Sequence, residues 1–166
     1  MSKIFMKNST IQIVINMVMV FSVLIAPASS ANHMDLSLKI ECADKIITVT
    51  PSDFAKIKRS KVHTKNSWAD KSVFEGVSVK DLLATTGCTG QKLNIHAIND
   101  YWVEIPMSDV NNFNPLLADT MNGKPLTLRD FGPYWFIYPI DDYPEELNKP
   151  IYGGRSIWQI DSITIK

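Results

Sequence analysis

The chain reads as a series of short segments in which apolar and polar residues alternate. Leu36, Leu38 and Ile40 do so, then Ile47 and Val49, then Leu93, Ile95 and Ala97, then Val103 and Ile105. A period of two buries one face of a segment and leaves the other in water, which is the signature of a strand. Turn residues divide these segments: Asp44-Lys45 the first pair, Asn99-Asp100 the second. Asn122-Gly123, between 116–121 and 124–128, is the strongest hairpin signal, because both central residues of a tight primed turn take positive φ. Residues 134–140 are aromatic and β-branched and suit a buried strand. Val62-His63-Thr64 and residues 73–77 add two more strands. Residues 156–165 end the chain as a strand bent at Asp161-Ser162.

Helix signals are fewer and shorter. Thr50-Pro51-Ser52-Asp53 predicts a helix over 52–57, with Pro early and an acid in the first turn. Ser78-Val79-Lys80-Asp81 is a capping-box type of start; Val79, Leu82 and Leu83 supply the apolar face and Gly87 a stop. Residues 106–110 suit one helical turn, and 141–150 read as a polar loop. Roughly nine strands with two or three short helices predict an α+β fold. Its core should be β-rich, with mixed or antiparallel sheets and short helices flanking them.

The first 31 residues stand apart from this pattern. Lys3 and Lys7 precede an apolar run over 11–26, which ends in Pro27-Ala28-Ser29-Ser30-Ala31. A basic start, an apolar stretch and small residues at its end predict a secretory signal peptide over 1–31, cleaved after Ala31. A membrane anchor needs about 20 apolar residues; this run is shorter and is interrupted by Gln12 and Asn16. Residues 32–166 are then a single domain in the periplasm. Loss of Lys3 and Lys7 leaves 15 basic against 17 acidic side chains, a formal charge of −2. So even a balance excludes a nucleic-acid partner, and 45% hydrophobic residues exclude a disordered chain.

Cys42 and Cys88 are the only cysteines. In an oxidising compartment they could bond to each other or be two unrelated buried thiols, and the sequence leaves both readings open. His33, His63 and His96 show no metal-ligand spacing. There is no phosphate loop, HExxH or nucleophile elbow. Asp141-Asp142 with Glu145-Glu146 reads as a solvated acidic loop. What remains is aromatic content beside polar turns: Trp68, Tyr101, Trp102, Tyr134, Trp135, Tyr138, Tyr143, Tyr152 and Trp158, near Asn66, Asp100 and Arg155. Flat rings with nearby carboxylate, amide and guanidinium groups suit a planar heterocycle, although most such aromatics also serve as core.

Several segments resemble a known family. Residues 74–83, Phe-Glu-Gly-Val-Ser-Val-Lys-Asp-Leu-Leu, resemble the "W-x-G-v-x-L-x-x-L-L" segment of sulfite-oxidase-like molybdopterin-binding domains. Ala97-Ile98-Asn99-Asp100-Tyr101 resembles their "a-x-D-G-Y" turn, with Ile105-Pro106 following it. Leu116-Leu117-Ala118 and Asn122-Gly123-Lys124-Pro125-Leu126 resemble "l-L-A-y-x-x-N-G-x-P-L". Gly132-Pro133 to Pro139 resembles the next strand, and Arg155-Ser156-Ile157-Trp158 the closing "R-S-V-K-W". The order of the motifs matches over about residues 36–166.

The resemblance implies that fold and a pterin ligand. It also implies a Cys ligand to molybdenum ahead of the "W-x-G" segment, where residues 62–68 contain none, and a closing Lys where Trp158 stands. Molybdenum cofactor is therefore not expected. The chain is similar instead to small exported, Cys-less pterin-binding proteins that regulate a membrane-bound cyclic-di-GMP enzyme. On that likeness its partners are a pterin and the periplasmic domain of a membrane signalling protein. The alternative is a molybdopterin-dependent oxidoreductase with altered metal ligation. The expected ligand contacts are Asn66, Trp68, Asp100, Tyr152, Arg155 and Trp158, with no catalytic and no metal-binding residue. Trp68 and Trp158 would stack on the ring. Asp100, in a turn, would pair with its amino edge. Arg155, read as the start of the last strand after Gly153-Gly154, would donate to its oxygen.

Overall fold

The computed structural model of the chain describes residues 36–166. The expected signal peptide lies outside the described residues. Ten strands and five helices follow in the order β1 (Leu38–Cys42), β2 (Lys45–Val49), α1 (Pro51–Phe54), β3 (Arg59–Thr64), β4 (Ser72–Ser78), α2 (Val79–Thr86), β5 (Lys92–Ala97), β6 (Trp102–Pro106), α3 (Met107–Phe113), β7 (Leu116–Met121), β8 (Lys124–Pro125), β9 (Trp135–Ile137), α4 (Pro144–Leu147), α5 (Pro150–Arg155) and β10 (Ile160–Ile165).

The strands form two five-stranded sheets. The first runs β2-β1-β10-β5-β6 and is mixed, since β1 and β10 are parallel and the other pairs antiparallel. The second runs β3-β4-β7 and is antiparallel, with the far edge of β7 shared by β9 and β8. Inward residues of both sheets, among them Leu38, Ile40, Leu93, Ile95, Leu117 and Phe136, build the main core. The opposite face of the second sheet is covered too. Phe74, Leu116, Trp135 and Ile137 form a second buried cluster, against which Phe131 and Trp158 pack. The fold is α+β, with short helices around mixed and antiparallel sheets.

Local chemistry explains the helices that the sequence shows clearly. The Ser78 hydroxyl accepts the Asp81 backbone N–H at 3.1 Å, and Gly87 closes α2 at φ 68°, a conformation that suits glycine. Thr50 caps α1 in the same way, ahead of Pro51. Cys42, at the end of β1, is bonded to Cys88 just beyond α2, with Cα atoms 5.7 Å apart. This ties the first sheet to the C-terminal end of α2.

Three expectations need correction. Residues 141–150 are not one loop, since α4 and the start of α5 lie there. The last strand begins at Ile160, because Gln159 takes φ 56° and breaks the extended backbone, leaving Trp158 in an isolated bridge to Trp135. Arg155 therefore ends helix α5 instead of starting a strand. The strand expected over 134–140 is limited to three residues, since only Leu116, Leu117 and Ala118 of β7 are left to pair with it. The bend expected at Asp161-Ser162 is present as a register shift between Ile160 and Ser162 opposite β5.

Candidate ligand-binding site

Two short segments meet at one end of the second sheet: the loop after β3 and helix α5. Asn66 shapes the loop. Its side-chain carbonyl accepts the backbone N–H groups of Trp68 and Ala69, each at 2.8 Å, in an Asx turn. The turn presents Trp68 outward, 53% exposed, with its ring edge-on to Trp158 at 4.8 Å between centroids. Trp158 stands against the second cluster, 5.6 Å from Phe131 and 6.2 Å from Trp135. Trp135 is fixed in turn, its Nε1–H donating to the Ser156 carbonyl at 3.1 Å. One indole is thus anchored to the core and the other leans over it from the surface.

Helix α5 supplies the facing wall. Its two glycines are poor helix formers, each costing about 1 kcal/mol relative to alanine, so tertiary contacts must hold it. Tyr152 packs on Tyr138 at 5.0 Å and on Phe113 at 6.1 Å. The Arg155 guanidinium donates to Asp109 Oδ2 at 2.8 Å, and the Tyr138 hydroxyl donates to the same oxygen at 2.8 Å. Asp109 is only 6% exposed. Burial, and then the hydrogen bond to Asp109, push the Tyr138 hydroxyl far above the usual tyrosine range, so it stays a neutral donor. Gly153 packs against Ser67, whose Oγ would have to turn away from a Cβ that would otherwise lie 2.6 Å from it.

Between loop and helix opens a cavity of about 370 Å³. Trp68, Trp158, Tyr101 and Ile157 give it apolar and aromatic surface; Asn99, Ser156 and the backbone of Gly153-Gly154 give it polar groups. The Tyr101 hydroxyl reaches the Gly154 carbonyl at 3.4 Å, linking the β5–β6 turn to α5. A second cavity, of about 500 Å³, lies on the other side of Gly153 and includes Asn66. The first cavity, with its rings and few polar groups, suits a small planar ligand.

The expected contacts divide accordingly. Trp68 and Trp158 come together in the first cavity, and Asn66 lines the second. Tyr152 and Arg155 line neither; they carry the α5 wall from behind, with the guanidinium 5.9 Å from the Tyr152 ring. Asp100 is exposed in the β5–β6 turn at φ 65°, beside the lining residue Asn99. Asn99, Tyr101 and Ser156 were not singled out as contacts from the sequence. The turn motif at 97–101 contributes Ala97, Asn99 and Tyr101 to the cavity lining, while Ser156 carries no sequence signal of its own. The donor set does not fit a thiolate-ligated molybdenum. Both cysteines are consumed by their disulfide, and among the described residues no three His, Cys, Asp or Glu side chains converge.

The sequence matches the oxidoreductase molybdopterin binding domain over residues 27–140. No curated protein matches it. Among solved structures, the sulfane dehydrogenase SoxCD from Paracoccus pantotrophus superposes with a TM-score of 0.60 at 17% identity, over 79% of this chain and 38% of that one. This chain thus spans well under half of that enzyme's length, and at such identity the likeness is one of fold. With the family match covering more than half of the sequence, the chain belongs to the oxidoreductase molybdopterin-binding domain family.

Proposed function

We propose that this protein is an exported, periplasmic pterin-binding protein without catalysis of its own. It reports pterin occupancy to a membrane-bound signalling partner such as a cyclic-di-GMP enzyme. The observation that carries the reading is the Trp68–Trp158 cavity in a molybdopterin-binding fold whose two cysteines are bonded to each other. The ring stacks on the two indoles, where an aromatic pair adds about 1 kcal/mol beyond area burial. Its amide edge is met by Asn99, Ser156 and backbone groups of α5, with Asp100 beside Asn99 at the rim. Asn66 faces the adjoining cavity, and Tyr152 and Arg155 hold the wall.

Occupancy can be sensed outside because the site is half surface. Trp68 and Tyr101 are 53% and 51% exposed, so a ligand that orders them changes the face offered to a partner. The test is titration of neopterin into the purified protein, followed by quenching of indole fluorescence and by calorimetry, with metal analysis of the same sample. Saturable one-to-one binding to metal-free protein is expected. Stoichiometric molybdenum after expression in a host that makes the cofactor would instead support the oxidoreductase.

A further inference from the structure

An outer strand leaves half of its backbone groups unpaired, and the other open edges of this fold are blunted against further pairing. β3 exposes Arg59, Lys61 and His63, and β6 carries Glu104 and ends in Pro106. β8 and β9, which share the far edge of β7, have two and three residues. β2 has no such device after Lys45. Ile46-Ile47-Thr48-Val49 is uncharged, free of proline and wholly β-branched. Ile46 is 67% exposed, more than any other large apolar side chain among the described residues.

The turn between β1 and β2 is two residues long, so Cys42 and Lys45 exchange ladder bonds, as do Ile40 with Ile47 and Leu38 with Val49. The N–H and C=O groups of Ile46 and Thr48 therefore point away from β1. Among the described residues they meet no other partner.

We propose that β2 pairs antiparallel with the β2 of a second copy across a two-fold axis, so that two five-stranded sheets become one continuous sheet. A two-fold at Ile47 is the register that matches all five residues: Lys45 lies opposite Val49, Ile46 opposite Thr48, and Ile47 opposite itself. In that register the outward groups of Ile46 and Thr48 bond each other. No like charges oppose, because Lys45 is the only charged residue of β2 and meets Val49. A second copy matches the strand in length and in β-branched side chains, and the two-fold closes the pair so that neither edge remains open. β6 is the opposite edge of the first sheet, and the turn before it brings Tyr101 to the first cavity, so pairing through β2 is independent of any ligand.

A five-residue strand pair falls below the about 1,200 Å² of a standard interface. A weak dimer is expected, with a dissociation constant above about 1 μM. Sedimentation equilibrium of the purified protein over a wide concentration range tests it, beside Ile46→Lys and Thr48→Pro. The first brings two cations to one short interface, and the second removes an N–H that β1 does not use. Each should weaken association at least about tenfold, and thermal transitions check that both fold. Residue-resolved amide exchange of wild type gives an arm that needs no variant. The Ile46 and Thr48 amides should be protected in the dimer and exchange freely in dilute monomer, while the Ile47 amide is protected in both. Three results would each overturn the proposal and leave the pterin reading standing: a monomer throughout, a dimer whose Ile46 and Thr48 amides exchange freely, or a dimer that both folded variants retain. The first would leave the edge to a strand of another protein, and the other two would place the interface elsewhere.

Discussion

Arg155 separates two kinds of role, because the sequence suggests a ligand contact and the structure gives it a buried partner. Consider Arg155→Met, which keeps the stem and removes the guanidinium. Asp109, 6% exposed, keeps only the Tyr138 hydroxyl as a side-chain donor and becomes a poorly compensated buried charge. A hydrogen bond to a charged group contributes about 1.5–3 kcal/mol, and breaking a fully buried pair costs about 3–5 kcal/mol. The Arg155 side chain is 21% exposed, so water can partly replace it, and a loss of about 2–3 kcal/mol is expected. At about 3–4 °C per kcal/mol for a domain of this size, Tm should fall by about 6–12 °C.

The companion Asp109→Asn/Arg155→Met should recover part of that loss, because it removes the stranded charge along with its partner. Thermal unfolding at pH 7 reads the stability, and neopterin titration well below Tm reads the site. Affinity should weaken by no more than about threefold, since the change acts only through the α5 wall. A variant with unchanged Tm and tenfold weaker neopterin binding would refute this reasoning and return Arg155 to the ligand.

Three further outcomes are expected. Cys42→Ala/Cys88→Ala opens a loop of 46 residues, worth about 4 kcal/mol of chain entropy; guanidinium unfolding should show a loss of about 3–4 kcal/mol, and a loss under about 1 kcal/mol would contradict it. Tyr138 ionises in the unfolded chain near the ordinary value of about 10 but much higher when folded. Its stabilisation is therefore complete below about pH 10 and declines above it at about 1.4 kcal/mol per pH unit; Tyr138→Phe should make the alkaline decline shallower by that amount, and parallel curves would exclude the effect. Asp100→Gly should leave neopterin affinity within twofold, because Asp100 lines neither cavity and glycine accepts its positive φ; Asn99→Ala should weaken it, and the reverse order in calorimetry would move the contact to Asp100.

The strands were legible because their evidence is local. Alternation in 38–42, 92–97 and 102–106 follows directly from one buried and one wet face, and the cap at Ser78 with Gly87 defines α2 without outside help. Helices α4 and α5 were not legible, for a physical reason. Pro150-Ile151-Tyr152-Gly153-Gly154-Arg155 has low intrinsic helicity. It is helical because Tyr152 finds Tyr138 and Phe113, and Arg155 finds Asp109, 46 residues away. No window of sequence contains both halves of that contact. The disulfide was open for the same reason, since separation along the chain does not fix the 5.7 Å between the Cα atoms.

The site shows the same division between residue type and direction. Indoles beside a pair of glycines marked the place, and Trp68 and Trp158 do meet there. Charges were harder to read, because a charge takes its role from whatever faces it. Asp100 and Arg155 suggested a charged clamp on the ring. In the fold, one points to water and the other is spent on Asp109. Arg155 takes its role from Asp109, 46 residues away in the chain, and Asp100 takes its from the positive φ of its turn, so neither role is written in the neighbouring sequence.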